Sequence, residues 1–94
     1  MSQAIRRFSL GQVVATQGAL EALTKVGEIP QPYLRRHAGG DWGDIDEDDK
    51  RLNDLAAKCD ERILSAYTLT DGTRIWIITE ADRSTTTLLL PEEY

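Results

Sequence analysis

The sequence predicts an α+β domain, a four-stranded antiparallel sheet in the order β-α-α-α-β-β-β with its helices packed on one face. Three observations lead there. Before residue 60, apolar residues recur at helical spacing. From Arg62 onward the period shortens to strand-like alternation, in runs separated by turn residues. The 94 residues, 40% apolar and 29% charged, suffice for one modest core, so residues 1–94 read as a single domain.

Residues 8–15 read as the first strand, with two β-branched valines. Thr16 follows as a helix N-cap, because its hydroxyl can accept an otherwise orphan amide proton. Ala19, Ala22, Leu23 and Val26 then fall at i, i+3, i+4, i+7, one apolar stripe that Gly27 ends. Pro32 suits a first helical turn, so Gln31 to His37 reads as a short second helix stopping at Gly39-Gly40. The third helix starts near Asp44 or Asp46 and runs to about Lys58. Leu52, Leu55, Ala56 and Cys59 are expected to be its buried face.

After Arg62 a strand alternates Ile63, Ser65, Tyr67 and Leu69 with Leu64, Ala66 and Thr68. Thr70-Asp71-Gly72 supplies a hairpin turn. Arg74 to Thr79 is apolar on both sides in its middle and is expected to be central, with Trp76 buried. Ala81 to Ser84 turns the chain into Thr85 to Leu90, which Pro91 ends and which could lie at an edge of the sheet.

Charge is distributed unevenly. The net −5 divides into +3 over residues 1–40, −6 over 41–61 and −2 over 62–94. Five of the six residues from Asp44 to Asp49 are carboxylates, directly after Gly40-Asp41-Trp42-Gly43. Such a segment fits a helix start, where acids complement the macrodipole. It also fits a cation site or a surface presented to a partner. Asp44-x-Asp46-x-Asp48 begins like a calcium loop, but Asp49 stands where that loop needs glycine and Leu55 where it needs a bidentate Glu. No cofactor or metal is expected.

His37 and Cys59 each stand alone, too few for a zinc site. Cys59 falls on the expected apolar stripe, which argues against a Cys–His catalytic pair. Ser84 has no elbow motif around it. The chain is read as non-enzymatic. Arg6-Arg7 and Arg35-Arg36 could contact phosphates, although a nucleic-acid domain usually carries a larger basic excess. No run approaches the ~18 apolar residues of a membrane helix. Met1 to Phe8 lacks a secretory apolar stretch, and the lone cysteine suits a reducing compartment; together they point to the cytoplasm.

Several blocks carry a resemblance: Leu10 to Thr16, Gly40 to Asp44, Leu64 to Tyr67, Ile75 to Ser84, and Leu90 to Tyr94. Together they resemble a family of small acidic plasmid-related proteins carried on bacterial mobile elements and phages, over nearly the whole chain. No activity or catalytic residue comes with that resemblance. It implies a context, in which small acidic proteins often act as anti-CRISPR or anti-restriction factors. The expected function is therefore inhibition of a host CRISPR–Cas or restriction complex by protein–protein binding, with carboxylates standing in for phosphates. Asp41, Asp44, Asp46, Glu47, Asp48 and Asp49 would form the acidic face, and Trp42 its apolar anchor. A plasmid-maintenance or regulatory nucleic-acid-binding module is the alternative. A monomer is expected.

Overall fold

Thr16 ends the first strand and starts the first helix, accepting a hydrogen bond from the Ala19 amide at 3.1 Å. The computed structural model describes residues 6–94; Met1 to Ile5, most of the stretch read above for a leader segment, lies outside the described residues. The elements are β1 (Gln12–Ala15), α1 (Gln17–Lys25), α2 (Gln31–Ala38), α3 (Glu47–Cys59), β2 (Ile63–Thr68), β3 (Arg74–Thr79) and β4 (Thr85–Leu89), followed by a 3₁₀ turn over Pro91–Glu93. No helix is long and apolar enough to cross a membrane among the described residues.

The fold is α+β, but the sheet is mixed. Its strand order is β1-β4-β3-β2, with β2–β3 and β3–β4 antiparallel and β1 parallel to β4 in the register Gln12↔Thr85 to Ala15↔Leu88. The purely antiparallel sheet expected from sequence is corrected by this pair. Three helices and two strands separate β1 from β4, a connection long enough for the chain to return in either sense, whereas a tight turn would force the antiparallel one. β4 is thus an interior strand between β1 and β3, not an edge.

β1 is also shorter than residues 8–15. Gly11 adopts φ +63°, and a Cβ there would lie 2.3 Å from the Arg83 carbonyl oxygen, so the chain bends where it crosses the β3–β4 turn. Phe8 and Leu10, ahead of that bend, enter the core without joining the sheet.

The core has two parts. Ala19 and Leu23 of α1 pack with Tyr67, Leu69, Ile75, Ile77 and Leu88, as the α1 stripe predicts. Phe8, Leu10, Ala38, Trp42, Ala56 and Ile63 form the second part, beneath α2 and α3. Trp76 points to the sheet face away from His37 and is only half-buried, with Tyr94 edge-on at 5.6 Å.

The expected face of α3 is not the one that packs. Asn53 and Ala56 are buried, Leu52 and Leu55 are 62% and 59% exposed, and Cys59 is exposed. Asn53 explains the rotation. Its side-chain amide donates to the Leu64 carbonyl at 2.7 Å and its oxygen accepts from the Leu64 amide at 3.4 Å, pairing the backbone of β2 where no further strand does.

Candidate protein-binding face

The acidic segment lies along the outer edge of β2, and its backbone is tied there. The Trp42 carbonyl accepts from the Ala66 amide at 3.2 Å, and the Asp44 amide donates to the Ala66 carbonyl at 2.7 Å. Between them Gly43 takes φ +75°, and a Cβ would fall 1.9 Å from the Ala66 oxygen, a position only glycine can occupy. This contact, together with Asn53, blocks that edge of the sheet.

Trp42 is not the exposed anchor expected from sequence. It is 3% exposed, its Nε1–H donates to the Asp54 carboxylate at 3.0 Å, Phe8 stacks on it at 6.0 Å and His37 meets it edge-on at 5.9 Å. The glycines around it turn the indole inward instead of presenting it. Asp54 also takes a 2.8 Å ion pair from Arg7, and its carboxyl is held below the usual range by the Trp42 hydrogen bond and then by Arg7.

The six carboxylates do reach the surface, with different partners. Asp41 is paired with Arg36 at 2.7 Å, which holds its carboxyl low. Asp44 accepts from the Thr68 hydroxyl at 2.7 Å. Asp46 is the N-cap of α3, receiving the Asp49 amide at 2.8 Å. Glu47 lies 3.7 Å from Lys50, and Asp48 pairs with Arg51. Asp49 lines a shallow groove with Ile45, Leu52, Asn53, Arg62 and Leu64. These five contacts are solvent-facing, and three of them set a cation beside a carboxylate, so the unopposed negative charge of the segment lies at Asp44, Asp46 and Asp49.

The side chains that sequence reasoning missed are Leu52 and Leu55. With Asp48 and Cys59 they fall at i, i+4, i+7 and i+11, an outward stripe that joins acid to apolar surface. Their helical spacing was legible. Which side it faced was not, because the decisive contact is the polar Asn53.

A second constellation resembles a catalytic pair. His37 Nδ1 lies 2.5 Å from Ser65 Oγ, and Nε2 lies 2.8 Å from Thr79 Oγ1. Thr79 Oγ1 contacts Thr86 Oγ1 at 2.7 Å, and Thr86 donates to the Leu10 carbonyl at 2.7 Å. The chain fixes its own proton order. Thr86 gives its hydrogen to Leu10, Thr79 therefore donates to Thr86 and accepts from His37 Nε2–H, and Nδ1 accepts from Ser65. All four side chains are 0% exposed, so no substrate reaches the pair. Burial, with the Arg83 charge, lowers the His37 pKa to about 3 and keeps the ring neutral. Cys59 is at the surface while both His37 nitrogens are occupied, so the two residues do not form a pair. Among the described residues no group of three or more His, Cys, Asp or Glu is placed to hold a metal ion.

Of the arginines considered for phosphate contact, Arg7 and Arg36 are engaged by Asp54 and Asp41. Compared with protein-family models, curated proteins and solved structures, the chain matches none.

Proposed function

We propose that this chain is a non-enzymatic inhibitor that binds a basic surface of a host nucleic-acid-handling complex, of the CRISPR–Cas or restriction type. The observation that carries the reading is the outward stripe of α3, where exposed Leu52 and Leu55 continue directly from Glu47, Asp48 and the carboxylates of the preceding loop. Acids of this kind steer encounter with Lys/Arg surfaces, and the leucines supply the desolvated contact area that charge alone lacks. The choice of target class rests on the resemblance to proteins of mobile elements. The alternative, a plasmid-maintenance nucleic-acid-binding module, has less support because two of its four arginines already hold carboxylates.

Competition tests the proposal. Purified CRISPR–Cas and restriction complexes are given labelled target DNA with and without the protein. We expect displacement of DNA from one complex, abolished per folded molecule by Glu47→Lys with Asp48→Lys, which lowers the melting temperature by a few degrees because it reverses charge at the start of α3, and by Leu52→Ser with Leu55→Ser. Inhibition of no complex, or inhibition that survives both double variants, overturns the reading. A low-salt gel shift with the protein alone would favour the nucleic-acid alternative.

A further inference from the structure

The two edges of the sheet are treated differently. Asn53 and the Trp42–Asp44 segment cover the outer edge of β2, whereas no strand or loop among the described residues pairs with the outer edge of β1. That open edge is apolar. Val13 is 43% exposed and Val14 39%, on opposite faces of the strand, and Leu20 of α1, near Ala15, is 47% exposed. The adjoining depression is lined by Ala15, Gln17, Leu20, Glu21, Thr24 and Lys25. We infer that a second copy of this chain covers it, pairing β1 with β1 in an antiparallel two-fold dimer.

The backbone register supports this occupant. The Gln12 and Thr16 amides donate toward β4, to Ser84 and Leu88, both at 2.9 Å. Alternation then turns the N–H and C=O of Val13 and Ala15 outward. With the two-fold axis at Val14, Val13 faces Ala15 of the second copy and Ala15 faces Val13. Each is a hydrogen-bonded antiparallel pair, and together they satisfy all four outward groups. Val14 meets Val14 on the axis as the close pair, with Cα atoms about 4.5 Å apart.

Charge permits a copy at this edge. The molecule carries −5, and two such molecules repel at most approaches. The α1 flank of β1 holds one Glu21 and one Lys25, so it is neutral and offers each sign to a matching surface. Ala15, which shares the sheet face that α1 covers, places α1 of both copies on the same side of the joined sheet, where their Leu20 side chains close the depression. A lone peptide strand would pair the backbone and leave that flank open. The dimer is an eight-stranded sheet with an α3 at each end, since α3 packs on β2 at the far edge. It departs from the monomer favoured by sequence, which placed the free edge at Thr85 to Leu90. It stands independently of the inhibitor reading.

Sedimentation equilibrium and a cysteine scan test it. We expect the wild type to show twice its 10.5 kDa mass at submillimolar concentration. In a Cys59→Ser background, oxidation should cross-link Val14→Cys into a dimer but not Gln12→Cys, whose own counterpart lies out of disulfide reach across the axis. Val13→Pro removes only an outward amide, and Leu20→Glu puts an acid on the neutral flank. Each should weaken association ~10-fold or more with unchanged circular dichroism, and Leu20→Glu decides the matter if the proline variant folds poorly. A wild type that stays monomeric, including one that captures a foreign strand peptide, overturns the inference. So does a dimer that persists in both variants or cross-links equally at Gln12.

Discussion

His37 has both ring nitrogens occupied by hydroxyls and stays neutral far below the pH at which an unfolded imidazole charges. With a folded pKa of about 3 against 6.5, the unfolded chain binds one proton more throughout that interval, so stability rises with pH across it. The contribution is complete above 6.5 and is lost as pH falls toward 3. Urea unfolding at pH 7 and pH 5 should therefore differ by about 2 kcal/mol. The lowered carboxyls, Glu28, Glu93, Asp41, Asp54, Asp71 and Asp82, act in the same direction but mainly below pH 5, so the histidine dominates this window. A flat profile between pH 5 and 7 would mean the ring is solvated in the folded state. Trp42 offers a second residue-level test. Truncation to Ala removes a buried indole and leaves Asp54 with only Arg7, so we expect a loss of about 3–5 kcal/mol in chemical denaturation. A surface anchor would show no such loss.

At the scale of elements, α3 shows what the sequence could and could not reveal. Its N-cap and acidic first turn follow from Asp46, Glu47, Asp48 and Asp49, whose chemistry is local. Its orientation is set by a distant partner, the Leu64 backbone of β2, which no periodicity encodes. The hydrophobic pattern therefore pointed to Leu52 and Leu55, while an asparagine makes the contact. The same limit applies to β1. Its valines were legible, but the parallel pairing with β4 depends on how three helices return the chain. Asn53→Ala should orphan the Leu64 groups, cost ~1–3 kcal/mol and speed exchange of the Leu64 amide. Leu52→Ser with Leu55→Ser should together cost no more than about 1 kcal/mol, mostly lost helix propensity. A large loss from the leucine pair and none from Asn53 would restore the face expected from the pattern.

At the scale of the whole molecule, the charge asymmetry is the property that separates a recognition surface from a helix start. Replacing Glu47 by Gln and Asp48 and Asp49 by Asn takes the net charge from −5 to −2 while keeping the Asp46 cap. The variant gives up the exposed Glu47–Lys50 and Asp48–Arg51 pairs and relieves repulsion among neighbouring acids. Exposed pairs contribute little, so the melting temperature should stay within a few degrees. Recognition of a basic partner depends on the summed field, which steers encounter and is screened by salt. The wild-type association rate should fall steeply as salt is raised, while the triple variant should bind slowly at every salt concentration. Thermal unfolding and stopped-flow association on the same two proteins separate the cases. A variant that melts early but inhibits fully per folded molecule would reduce the acidic run to a helix cap and shift recognition to Leu52 and Leu55 alone.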